Sequence, residues 1–185
     1  IIKRLQAGEM YILRETFAPY GYLKAEEVEF TISDTEKVQK VEMKDEVPTG
    51  RILISKKGEF LNEVTWNDMV AGAMESVWDY LNGSLKDVTF EVYAAEDIKA
   101  ADGESADYFK KDELVETITT DALGFARADD LPLGKYYVKE KETADGFILD
   151  DQAREIDLTY RDQDTPVVTY DSEWQNNRQK AKVTV

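Results

Sequence analysis

The chain has 185 residues, enough for one domain and part of another. It carries 39 acidic against 23 basic residues, a formal net charge of −16, which repels nucleic-acid phosphates and anionic membrane surfaces and argues against both as partners. It has no cysteine and no histidine, so disulfides, thiol nucleophiles, Ser-His-Asp catalysis and histidine- or cysteine-ligated metals are excluded, and only carboxylate binding of a hard cation survives.

Alternation dominates the chain in sequence order. Tyr11, Leu13 and Glu15 share one face against Ile12 and Arg14, and Val28, Phe30 and Ile32 alternate with Glu27, Glu29 and Thr31. Val41 and Met43, then Ile52 and Ile54, continue the period of two, as do the runs 88–93, 136–140 and 156–160. Turn residues punctuate them at Pro48-Thr49-Gly50, Asp102-Gly103, Pro132-Leu133-Gly134 and Asp145-Gly146. Short half-buried strands between such turns predict an all-β sandwich or barrel.

One stretch breaks the period. Over 65–81, Val70, Met74, Val77, Trp78 and Leu81 fall at helical spacing, with Thr65 or Asn67 as caps and Asn82-Gly83 as a stop. The spacing predicts a short helix or an irregular segment packed on a sheet edge, within an insertion at about 61–86, with Trp66 and Trp78 as core anchors, since apolar helical stripes usually face a core. The competing reading is an exposed aromatic recognition surface.

The chain also repeats itself. Gly8 to Tyr22 reappears as Gly134 to Phe147, with Glu15 and Glu140 separated by 125 residues and Gly21 and Gly146 by the same interval. Arg51-Ile52-Leu53-Ile54 returns as Lys182-Val183-Thr184-Val185, 131 residues on. A period near 130 residues divides the chain into the last part of one repeat at 1–47, a complete repeat at 48–178, and the first strand of a third at 179–185. On this division the ends of two molecules are complementary, residues 180–185 of one supplying the strand that 1–47 of another lacks. No apolar run reaches the roughly 20 residues of a membrane span, and Ile1-Ile2-Lys3-Arg4-Leu5 is too short to be a signal peptide. An exported protein would hold this sequence as an internal piece.

Three polar residues fall on apolar faces. Lys56 shares parity with Ile52 and Ile54, Glu140 with Tyr136 and Val138, and Asn176 with Trp174. Burial disfavours the charged form of an amine or a carboxyl. A neutral lysine is a nucleophile, and a protonated carboxyl can polarise an amide carbonyl and carry protons to departing ammonia, which would join Lys56 to Asn176. Read from parity alone, the same residues are better explained as a snorkelling lysine, its ordinary ion pair with Glu140 and a turn amide. Asp162-Gln163-Asp164, Asp129-Asp130 and Asp150-Asp151 lack EF-hand spacing and read as solvated loops.

The runs Gly50 to Lys56, Val88 to Tyr93, Thr120 to Ala126, Leu131 to Tyr136 and Glu140 to Phe147 occur in an order that resembles the collagen-adhesin B-type (Cna B-type, SpaA-like prealbumin) repeats of Gram-positive surface adhesins and pilins. The likeness covers the chain except for 61–86. The box Glu15-Thr16-Phe17-Ala18-Pro19-Tyr20-Gly21-Tyr22 matches the family's pattern more closely than the second copy, which has Thr143-Ala144 for Ala-Pro and Phe147 for Tyr. The resemblance implies an all-β, Ig-like or prealbumin-like sandwich, with Lys56 as nucleophile, Glu140 as catalyst and Asn176 as acceptor of an isopeptide bond. In the partial repeat it implies Glu15 as catalyst and Asp45 as acceptor, the latter losing water instead of ammonia, with the lysine upstream of residue 1. Glu142 shares parity with Glu140, but only Glu140 keeps the six-residue distance to Gly146 that separates Glu15 from Gly21.

The resulting expectation is a structural stalk module, not an enzyme beyond its own cross-linking, needing neither metal nor cofactor. It would lie outside the cell in a longer, cell-wall-anchored protein and contact neighbouring repeats. The alternative is a binding module that recognises a host extracellular protein or glycan through its loops or the 61–86 insertion. A binding module would expose Trp66 and Tyr80 on one patch.

Overall fold

A period of two sends every second side chain to one layer, and two such layers bury their apolar faces against each other. The computed structural model, which describes residue 2 and residues 4–70 and 73–180, realises this pattern in ten strands with no helix among them. They are β1 (Met10–Leu13), β2 (Val28–Thr31), β3 (Thr49–Val70), β4 (Ala73–Ser84), β5 (Thr89–Ala94), β6 (Leu114–Thr119), β7 (Phe125–Leu131), β8 (Lys135–Glu142), β9 (Arg154–Asp157) and β10 (Val167–Asn176).

The long strand β3 organises one sheet. Its first half runs parallel to β10, from Thr49 opposite Val167 to Gly58 opposite Asn176, with β7 antiparallel on its other edge as far as Ser55. From Lys57 onward β4 takes the place of β7 on that edge. The facing sheet has the order β6-β5-β8-β9. Between the sheets lie Ile52 and Ile54 of β3, Phe90 and Val92 of β5, Val138 of β8 and Trp174 of β10, all fully buried. Tyr136 is buried with them and donates its hydroxyl to Pro132 O at 2.5 Å, so the phenol enters the core without an orphaned polar group.

A separate two-stranded sheet, β1-β2, holds the N-terminal segment. Its register, Met10 opposite Thr31 through Leu13 opposite Val28, parallels that of β8-β9, Lys135 opposite Asp157 through Val138 opposite Arg154. The loop after β1 docks on the loop after β9. Gln163 accepts from Ala18 N at 2.9 Å through its side chain and from Lys24 N at 3.0 Å through its carbonyl. Tyr160 donates to Tyr22 O and packs edge-on against Tyr20 at 4.9 Å.

Three expectations change. The helix over 65–81 is instead the distal part of the β3-β4 hairpin, with Trp66 opposite Ser76 and Val64 opposite Trp78. Val64, Thr65, Trp66, Val77, Trp78 and Tyr80 are strand-favouring residues, and apolar positions on two antiparallel strands produced the helical spacing by coincidence. Trp66 and Trp78 are not core anchors, being 63% and 54% exposed, because the hairpin extends past the facing sheet. The alternation at Val41 and Met43 produces no strand: both are half-buried, but no strand among the described residues pairs with them as β3 does with β10. The expected first strand of a following repeat falls mostly at 181–185, outside the described residues.

Candidate functional site

Lys56 sits where β3 exchanges β7 for β4. Its amide donates to Gly124 O at 2.7 Å and its carbonyl accepts from Leu85 N at 2.9 Å. Gly124 has φ +80°, and a Cβ there would lie 2.6 Å from the Lys56 carbonyl oxygen, so only glycine permits this approach. The backbone around Lys56 is thus clamped from both sides, and the strand parity turns its side chain into the core. Asn176 arrives from the neighbouring β10, two residues beyond Trp174, which lies opposite Lys56. Glu140 comes from the facing sheet, on β8 opposite Phe90 of β5.

The three side chains meet in the interior. Lys56 is 0% exposed, Asn176 1% and Glu140 4%. Lys56 Nζ donates to Glu140 Oε2 at 2.5 Å and to Asn176 Oδ1 at 2.7 Å. Asn176 Nδ2 donates to Glu140 Oε1 at 2.5 Å and to Thr143 Oγ1 at 2.7 Å. Phe90 and Trp174 flank the amine, their ring centroids 5.5 and 5.6 Å from Nζ. Arg154 covers the outer side of Trp174 at 3.8 Å.

Burial pushes the Lys56 amine below its ordinary value of 10.5, against the hydrogen bond and charge of Glu140, which favour the ammonium. Desolvation is the largest of these influences, as expected for an amine packed between two aromatic rings. A proton passed from Nζ to Glu140 Oε2 along their hydrogen bond removes both buried charges at once.

The cluster holds an amine, an amide and a carboxyl that bridges them. Oε2 lies where it can take the lysine proton, and Oε1 lies against the amide nitrogen, where it can return a proton to the leaving group. The carboxyl therefore faces the nitrogen of the amide. The carbonyl oxygen, which sequence reasoning assigned to the carboxyl, is contacted by Lys56. Thr143 was visible in the sequence only as a departure from the Ala-Pro pattern, and its hydroxyl occupies the second hydrogen of Nδ2. The signal that could have found it is its position just past the end of β8, three residues after an inward Glu140.

The other sequence candidates are placed differently. Glu142 is exposed on β8, and Asn177 is exposed beyond β10. Glu15 is half-buried and accepts from Ala25 N at 2.8 Å. Asp45 is half-buried, and no hydrogen bond or ion pair among the described residues joins it to Glu15. Of the acidic loops, Asp129 pairs with Arg51 and Arg127, and Asp150 pairs with Arg154. Among the described residues no three acidic side chains converge as a cation site.

Comparison with known proteins places the fold. The SpaA prealbumin-like fold domain matches residues 1–47 and 79–174. The TIE protein of Bacillus anthracis is similar in structure at a TM-score of 0.52 and 19% identity, over 92% of this chain and 25% of that one. GBS52, the minor pilin of Streptococcus agalactiae, is 14% identical over 100% of this chain and 66% of that one, with a TM-score of 0.45. The major pilin SpaA of Corynebacterium diphtheriae is 16% identical over 70% of this chain and 31% of that one, with a TM-score of 0.43. The chain thus spans a quarter of the TIE protein and just under two thirds of GBS52. No curated protein matches it. The sequence match over both segments, together with the two facing sheets, makes this chain a member of the SpaA prealbumin-like fold domain family.

Proposed function

We propose that the chain is a load-bearing stalk module of a Gram-positive, cell-wall-anchored surface protein of the adhesin or pilin kind, stiffened by an amide bond that forms between Lys56 and Asn176. The observation that carries this reading is the closed hydrogen-bonded cluster of Lys56, Glu140 and Asn176 buried in the core. A buried amine, carboxyl and amide cost free energy as a merely structural set, and apolar residues of like volume would serve the core better.

In the reaction, Glu140 takes a proton from Lys56, and the neutral Nζ attacks Cγ of Asn176. The new C–N bond forms, the C–Nδ2 bond breaks, and the carboxyl proton leaves with Nδ2 as ammonia. The second amine proton is passed to Glu140 in exchange, so the carboxyl, a carboxylate before the first transfer, ends protonated beside the new amide and neither buried charge remains. Fixed geometry in a packed core is worth as much as about 7–11 kcal/mol of such a barrier. A depression lined by Ile148, Asp150, Gln152 and Asn177 reaches Asn176 and offers ammonia a way out.

The bond would tie β3 to its parallel neighbour β10. Tension entering at Thr49 would cross from Lys56 to Asn176 and leave along the chain, with residues 57–175 outside the load path. Residues 48–178 form the complete module in this reading, 1–47 the end of the preceding one and 179–185 the start of the next. On the repeat spacing, Glu15 and Asp45 would be the counterparts in 1–47 of Glu140 and Asn176 in the complete module. The partners are neighbouring repeats, and the only chemistry is self-directed. Intact mass tests the proposal: the folded chain should weigh one ammonia less than its sequence, and Lys56→Ala and Asn176→Ala should each restore the full mass. A wild-type chain at full sequence mass refutes the cross-link.

A further inference from the structure

The distal β3-β4 hairpin takes no part in the cross-link. Past Gly58, β3 has β4 on one edge and no partner on the other among the described residues, and β4 is likewise open on its far edge. The pairs Leu61 with Tyr80 and Val64 with Trp78, followed by Trp66 opposite Ser76, line up Leu61, Val64, Trp66, Trp78 and Tyr80 on the outer face. Trp66, Trp78 and Leu61 are 63%, 54% and 45% exposed, and Tyr80 is half-buried.

Exposed strand edges are ordinarily protected by lysine or proline. Here the stretch between Gly58 and Leu85 contains neither, nor any arginine, and carries five acidic residues: Glu59, Glu63, Asp68, Glu75 and Asp79. By the register Glu59 shares the face of Leu61 and Tyr80, while Glu63 and Asp79 oppose each other on the other face, so a strand added at the open edge of β3 meets carboxylates on both sides, an arrangement complementary to an extended cationic chain. A second copy of this protein, at net charge −16, is a poor fit. The face already holds one cation of the required kind: Lys180 places Nζ 4.4 Å from the Tyr80 ring centroid and 3.0 Å from Glu59 Oε2.

We propose that the outer face of this hairpin docks a basic, extended polypeptide segment. The segment adds as a strand to the open edge of β3, and its lysine or arginine side chains lie over Trp66 and Trp78 as Lys180 lies over Tyr80. The inference is independent of the cross-link.

Titration of a synthetic strand-forming peptide of alternating lysine and threonine into the folded chain, followed by calorimetry and by amide NMR shifts, tests it. The same measurement with a glutamate-for-lysine peptide and with a neutral β-linked glucose hexaose supplies the competing occupants. The lysine peptide should bind, shift amides of β3 beyond Gly58, and weaken as salt is raised. Trp66→Ala with Trp78→Ala should weaken it about tenfold or more, the loss of two cation–π contacts, while melting temperature and intact mass stay those of the wild type. Glu59→Gln should reduce both affinity and salt dependence. No binding by the lysine peptide, equal binding by the glutamate peptide, hexaose binding in its place, self-association through the hairpin, or unchanged affinity in the double tryptophan variant each overturns the proposal.

Discussion

Replacing Asn176 by alanine removes the acceptor and with it any bond to Lys56. Those two residues are 120 apart in sequence, so the bond would close most of the complete module into a ring. In the chain-entropy treatment developed for disulfides, closing a ring of that size removes roughly 5 kcal/mol of unfolded-state entropy at 25 °C. A chain of this length shifts by about 2–4 °C per kcal/mol, so Asn176→Ala should melt roughly 10–20 °C below wild type. A core trimming such as Ile54→Val, at a site equally buried, should cost only about 0.5–1.5 kcal/mol. Lost hydrogen bonds at Asn176 also lower the melt, and they act on the folded state. The ring acts on the unfolded state, so the two are separable. In concentrated guanidinium the open chain should expand toward a radius of gyration of about 46 Å, while the ringed wild type stays distinctly smaller. Calorimetry gives the first quantity and small-angle scattering the second. Equal denatured radii for wild type and Asn176→Ala, or a melt no lower than that of Ile54→Val, would refute the reasoning.

Further outcomes follow from the cluster and its surroundings. Glu140→Ala should fold without losing ammonia, whereas Glu142→Ala, exposed on the same strand, should cross-link like wild type; mass spectrometry distinguishes them, and the reverse pattern would move the catalyst to Glu142. Thr143→Val should slow the mass loss and Thr143→Ser restore it, because the hydroxyl holds the leaving nitrogen; equal rates for all three would remove Thr143 from the site. In Asn176→Ala, burial keeps Lys56 below 10.5, so between its lowered value and 10.5 the unfolded chain binds more protons and stability rises with pH. That slope should be absent from Lys56→Met with Asn176→Ala, and identical denaturation profiles across pH would contradict the assignment. Gln163→Ala removes the side-chain acceptor of Ala18 N, so hydrogen exchange should quicken at 18–24 while β5 and β8 keep wild-type protection.

What the sequence disclosed depended on whether a residue's role was fixed by its own strand. The sandwich was legible because alternation is a local property, and Lys56, Glu140 and Asn176 could be picked out because each breaks the polarity of an otherwise apolar face. Their meeting required the register of β3 against β10 and the stacking of β8 across the core, neither of which lies in any one segment. The resemblance to B-type repeats supplied that pairing in advance. Thr143 lies just past the end of β8, where parity no longer applies. The 65–81 stretch misled for a different reason. Helical spacing is evidence of a helix only when one face is buried, and here neither Trp66 nor Trp78 is.

The same comparison separates the two surfaces of β3. Up to Gly58 the strand is flanked by β10 and β7 or β4, and its inward residues obey the core. Beyond Gly58 the strand continues without the facing sheet, so hydrophobic burial no longer explains its composition. Chemistry has to account for it instead. Exposed tryptophans weaken solubility unless something covers them, and a run of acids without a single base repels other copies of the chain. Both features are reconciled by a cationic strand at the open edge of β3, whose side chains alternate between the rings on one face and the Glu63 and Asp79 face on the other. One strand would then serve two ends, its buried half closing the covalent tie and its projecting half meeting a partner. Because no hydrogen bond or ring contact among the described residues links Trp66 or Trp78 to Lys56, Glu140 or Asn176, substitutions of those tryptophans should leave the mass loss intact, and substitutions of Lys56 should leave peptide binding intact wherever the fold persists.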